Sequence, residues 1–354
     1  MTLFLWSCSE SINTYYAFED FDILKVGSRI TDLAITPDGK LLAAADMSNN
    51  RVILINVEHE MEVVARIWVG SEPKSLDISS SGDTLFVGLY GSSEIAIVDL
   101  DELALLGTFQ ADEDGPYDIV CLPEGKIIAS FLSDYAHNNK TKLFNLSSSA
   151  ALSSKNAAGP LTVSSDKSTL FVADDFYGPV RLNRFDISDS NLTNQIYSSP
   201  IAEEVSFHDI LFVPGKGVTV ALSGQDFDGS EVDYAFLFDS DDLNLKAHLD
   251  VKSPAVALAA ASDGSSIFVS PSSADDAGFF VIEFSTETYL QANYYMTAGP
   301  LAEGALTVDP TDEYLYVAVD DPSDNGSFEP YSSNSYDIQR IKIVPWGTYP
   351  INSF

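Results

Sequence analysis

The sequence predicts an all-β fold assembled from seven copies of one four-stranded antiparallel unit. Three observations predict it: a period in the forties, a Pro-Asp-Gly type of turn between the first two strands of the unit, and short runs in which apolar and polar residues alternate. The first copy reads Ile30-Thr-Asp-Leu-Ala-Ile35, a turn at Thr36-Pro-Asp-Gly39, Leu41-Leu-Ala-Ala-Ala-Asp46, Arg51-Val-Ile-Leu-Ile-Asn-Val57 and Val63-Val-Ala-Arg-Ile-Trp-Val69. The second repeats the pattern at Lys74–Ile78, Thr84–Tyr90, Glu94–Leu100 and Ala104–Phe109. β-Branched and aromatic residues dominate these runs, which favours strands over helices.

The second apolar residue after each turn serves as an anchor: Leu42, Leu85, Ile128, Leu170, Val218, Ile267 and Leu315, separated by 43, 43, 42, 48, 49 and 48 residues. Units of this length, with a tight turn after the first strand, are the blades of a β-propeller. Seven anchors mean seven blades. The last unit supplies Ala305–Asp309, Leu315–Val319 and Tyr336–Val344 and then lacks a strand. Phe18–Val26 has the pattern of that missing outer strand, so the two chain ends are expected to share one blade and close the ring without a free edge. The propeller is expected over residues 18–346, with 1–17 as an anchor or linker and 347–354 as a tail.

The repeat resembles the YVTN-type propeller family of the lactonase-like superfamily. Val69-Gly-Ser-Glu-Pro73 with Leu85-Phe-Val-Gly-Leu89, and Thr36-Pro-Asp-Gly39 with Leu41-Leu-Ala-Ala-Ala-Asp46, carry the likeness; blades four to six keep only the hydrophobic pattern. The resemblance implies the fold and leaves function open among surface proteins, lactonases and redox-associated proteins.

Composition narrows the partners. Of 354 residues, 53 are acidic and 18 basic, a formal charge of −35 that repels nucleic-acid phosphates and anionic lipid alike. No nucleic-acid partner is expected, and membrane contact only through a lipid anchor. With 45% apolar residues, 16 Tyr and 21 Phe, the chain has material for a sizeable core. Two cysteines, Cys8 and Cys121, exclude a disulfide framework. Cys121, within Tyr117-Asp-Ile-Val-Cys-Leu-Pro123, reads as a small buried hydrophobe. Leu5-Trp-Ser-Cys8 resembles a bacterial lipobox, although Trp6 is bulky and the basic n-region and most of the apolar h-region are missing. Cys8 is therefore the candidate lipidation site, and an incidental cysteine the alternative. The expected location is extracytoplasmic: an outer-membrane or cell-surface lipoprotein, or a periplasmic or secreted protein.

In such a ring the blade entries and the loops after the second strands share one face. Long loops fall there in blades three (Ser133–Thr141), five (Gly224–Asp233) and seven (Asp320–Ser335). Those of blades five and seven are acidic, blade six adds Ser272–Asp276, aromatics are interleaved, and long loops on a rigid scaffold are where function concentrates. Asp226, Asp228, Asp233, Asp320, Asp321, Asp324, Glu329 and Tyr331 are the candidate partner-binding residues, for a protein, a glycan or a cation-bridged partner. At the blade entries, Asp32, Ser75, Asp118, Pro160, Asp209, Ala257 and Ala305 occupy one register. Asp32, Asp118 and Asp209 are candidate ligands for a hard cation such as Ca²⁺; the alternative is that they hold backbone N–H groups of the neighbouring blade. The acidic loop of blade five lacks the spacing and terminal Glu of an EF-hand.

Other chemistry is missing from the sequence. His59, His137, His208 and His248 have no two-histidine metal spacing, and Walker, Rossmann, haem-attachment and Gly-x-Ser-x-Gly patterns are absent. Lactonases of similar fold use a Pro-His-His step at a blade entry; here only Phe207-His208-Asp209 stands there, with no arginine converging on it by sequence position. His208 and Asp209 are thus the catalytic candidates of a channel hydrolase. The leading expectation is a non-enzymatic binding scaffold with an acidic, Tyr-rich face; the alternatives are that lactonase-type hydrolase and an architectural component of a cell-envelope assembly.

Overall fold

The computed structural model describes residues 21–344, except 112, 114, 133–138, 149, 175–179, 202–203, 226–231, 233, 273–278 and 321–334. Its strands form seven four-stranded sheets. Six contain consecutive antiparallel strands; the seventh combines Leu301–Val308, Tyr314–Val319 and Tyr336–Lys342 with the N-terminal Asp22–Ser28. Closure is therefore by the N-terminal strand, with Asp22 opposite Arg340 and Leu24 opposite Ile338. Asp337 secures the join: its Oδ1 accepts the N–H groups of Val26 and Gly27 at 2.8 and 2.9 Å, and Lys25 Nζ lies 3.1 Å from its Oδ2.

The first turn forms because its residues bond locally. Gly39 N–H donates to Thr36 O at 2.8 Å, Thr36 Oγ1 donates to Asp38 Oδ1 at 2.6 Å, and Gly39 takes φ +72°, which glycine adopts without steric cost.

The interior is divided into seven apolar clusters, each lying between two neighbouring blades. Strand alternation produces this division. Leu42 and Ala44 face blade seven, whereas Ala43 and Ala45 face blade two. Every anchor read from the sequence is fully buried. In blade three, however, Ile127 rather than Ile128 holds the register of the other anchors: Ile127 pairs Phe144 as Leu85 pairs Val98. Both isoleucines are buried, so hydrophobicity alone could not separate them. Cys121 is buried and unpaired as a thiol, with Sγ 3.2 Å from Ile78 O; burial first, then Asp77, pushes its pKa up. No helix among the described residues is long and apolar enough to cross a membrane.

Candidate functional site at the channel mouth

The inner strand of each blade is a sheet edge, so its outward N–H groups have no strand partner. Aspartates supply one. Asp32 Oδ1 accepts Leu33 N–H at 2.7 Å and its Oδ2 accepts Leu76 N–H of blade two at 2.6 Å. Asp118 does the same for Ile119 and for Leu161 of blade four, at 2.8 and 2.6 Å. Asp209 holds Ile210 and Leu258 of blade six, both at 2.7 Å. Asp77, two residues further along its strand, holds Ile78 and Cys121 of blade three at 2.9 and 2.6 Å. Sequence reading missed Asp77 because it looked only at the entry register, where blade two has Ser75.

These carboxylates are costly to ionise. Burial raises all four pKa values against the pull of the N–H bonds, to about 6 for Asp118 and about 8 for Asp209. For Asp32, burial comes first and the nearby Asp118 and Asp209 charges add to it. Both oxygens of each candidate cation ligand thus already serve the backbone. Among the described residues no group of three or more His, Cys, Asp or Glu has a metal-holding arrangement.

Just before the Asp register the inner strands carry β-bulges, for instance at Lys74, Tyr117 and His208. A bulge re-aims its extra side chain. Here the bulged residues line one cavity of about 290 Å³ at the blade entries, together with Arg29, Asp32, Ser75, Asp118, Asp209 and Glu303. The ring brings together residues from blades one, two, three, four, five and seven. His208 Nε2 lies 2.6 Å from Ser223 Oγ. Its Nδ1 lies 2.7 Å from Glu303 Oε1, close enough for an ionic contact but out of line for a well-formed hydrogen bond. Burial opposes ionisation of Glu303, but His208 and, more weakly, Lys74 and Arg29 outweigh it and hold its pKa below the usual range.

Arg29, from blade one, shares the cavity wall with His208. Lys74 sits with its ammonium 4.4 Å from the centre of the Tyr117 ring. Of the loop candidates, Asp320 is described, its N–H bonded to Pro300 O at 2.8 Å. Asp226, Asp228, Asp233, Asp321, Asp324, Glu329, Tyr331 and the N-terminal Cys8 lie outside the described residues.

A family model described as "Lactonase, 7-bladed beta-propeller" matches residues 10–122. Comparison with curated proteins finds no match. Among solved structures, the fold is similar to Kuenenia stuttgartiensis hydrazine synthase (TM-score 0.71, 14% identity, 94% of this chain and 99% of that one). It is also similar to the β-propeller domain of Myceliophteria thermophila Cps50 (Swd1), with TM-score 0.65, 12% identity and coverage of 91% and 98%. At such identities the likeness concerns the fold. The seven closed blades and the match over residues 10–122 together support placing this chain among the lactonase-like propellers.

Proposed function

We propose that this propeller is a non-catalytic binding scaffold, acting outside the cytoplasm, whose recognition site is the channel mouth. The observation that carries the reading is the state of the catalytic candidates. Both ring nitrogens of His208 face protein groups, and both oxygens of Asp209 accept backbone N–H bonds. A general base must reach its substrate with a lone pair, and here His208 Nε2 is taken up by Ser223 while each Asp209 oxygen already holds a backbone N–H. What remains is a concave polar cavity on a rigid ring, which suits binding.

The lactonase reading keeps one specific support besides the family match: Ser223, His208 and Glu303 stand in line. Ser223 does not line the cavity, so the serine is behind the histidine rather than beside a substrate. Assay of the full chain against a set of γ- and δ-lactones separates the two. The scaffold reading expects hydrolysis at the buffer rate; turnover that disappears in His208→Ala and Asp209→Asn would replace it with the hydrolase.

A further inference from the structure

Hydrogen-bond capacity around the cavity is lopsided. The acceptors are engaged: Asp32, Asp118 and Asp209 hold backbone N–H groups, and Glu303 contacts His208. Three donors are not. Ser75 is 4% exposed, its Oγ has no hydrogen-bond partner, and it forms part of the cavity wall. Such a buried hydroxyl normally has a partner, and leaving it without one costs free energy. Lys74 has a ring contact with Tyr117 but no carboxylate within ion-pair distance among the described residues, and Arg29 has none either. Two cations without ion-pair partners thus stand beside the same cavity as the unpaired hydroxyl of Ser75.

From this surplus of donors we infer that the channel mouth takes a ligand carboxylate, with Arg29 and Lys74 supplying charge and Ser75 Oγ a hydrogen bond. The inference rests on the channel-mouth reading above and specifies its ligand. A guanidinium fork matches the two oxygens of a carboxylate, and charge-assisted bonds of this type are the stronger ones. A second cavity of about 570 Å³, over the junction of blades one and two, shares Arg29, Met47, Lys74 and Tyr117 with the first and adds Tyr90. The body of the ligand lies there, against Tyr90 and Tyr117, so a carboxylate on an aromatic or sugar ring fits better than a bare acid. Glu303 lies nearby, its pKa held low against burial by its contacts with His208 and by Lys74 and Arg29.

The test is calorimetric titration of the full chain, at constant ionic strength, with benzoate, glucuronate and acetate, and with benzamide as the neutral counterpart of benzoate. Benzoate or glucuronate should bind more tightly than acetate, and benzamide should bind at least about tenfold more weakly than benzoate. Arg29→Met and Lys74→Met should each weaken carboxylate binding by roughly tenfold, Ser75→Ala by a few-fold, and Lys74→Arg should retain most of it. Equal binding of benzamide and benzoate, binding indifferent to both charge removals, or no binding by any carboxylate overturns the inference. The scaffold reading fails on different grounds, by lactone turnover, so the two failures are distinguishable.

Discussion

The junctions between the first four blades differ from those that complete the ring. From blade one to blade four, each junction is stitched at the channel by an aspartate that bonds its own strand and the next: Asp32, Asp77 and Asp118. Beyond that the device thins out. Between blades four and five, Thr162 Oγ1 accepts Phe212 N–H at 3.1 Å, a single neutral bond, and Asp209 restores the carboxylate between five and six. At the last two junctions the corresponding residues are Ala257 and Ala305, and contact moves outward. Ser262 donates to Asp312, Gln339 bridges to the backbone of Met296 and Ala298, and Arg340 reaches Val57 O and His59 O of blade one. A propeller needs each junction held, but apolar packing is present at all seven, so the polar stitch can be placed at the channel or at the rim. The family match over residues 10–122 falls on the part stitched at the channel.

The comparison can be broken most severely at the entry of blade four, where Gly159-Pro160 stands in place of an aspartate. Gly159 has φ +150°, and a Cβ there would lie 1.9 Å from Ala173 O. Gly159→Ala should therefore destabilise by about 3 kcal/mol or more, measured by denaturant unfolding. Asp32→Ala strips Leu33 and Leu76 of their acceptor and should cost about 2–3 kcal/mol. Thr162→Val removes one neutral bond and should cost only about 1 kcal/mol. Equal losses for Asp32→Ala and Thr162→Val would mean that the carboxylate stitch is no stronger than a hydroxyl.

Acidity tests the same stitches by another route. Asp118 and Asp209 have folded pKa values of about 6 and about 8, above the usual carboxylate value. The native state therefore binds more protons than the unfolded chain between roughly pH 4 and 8, and stability falls as pH rises through that window. Protonation leaves each oxygen a lone pair for its N–H bond, so the stitch survives it. The melting temperature should decline from pH 5 to pH 8, and Asp209→Asn should flatten the upper half of that slope. The smallest effect concerns calcium. Because the channel aspartates are committed to the backbone, Ca²⁺ or EDTA should leave the melting temperature unchanged; a rise with Ca²⁺ that is lost in Asp32→Asn would show that these oxygens also bind a cation.

Part of the site was legible in advance. The entry register placed Asp32, Asp118 and Asp209 at one mouth, with His208 beside them, and the structure puts all four in one cavity wall. Asp77 escaped because two residues of shift along a strand keep the same facing, so two registers can serve the same N–H edge. Arg29 and Lys74 escaped because nothing in local sequence marks a basic residue next to a strand entry. The bulges that turn Lys74, Tyr117 and His208 inward have no residue signature here: the bulged positions are a lysine, a tyrosine and a histidine.

By itself the sequence determined the number of blades, the turn chemistry and the closure by the N-terminal strand, because each follows from periodicity and from backbone preferences confined to a few residues. Only the tertiary structure decided which side chains meet at the channel. Residues as distant as Arg29 and Glu303 come together there through the closing of the ring, and whether their donors and acceptors satisfy one another is a property of that meeting, which no single repeat encodes.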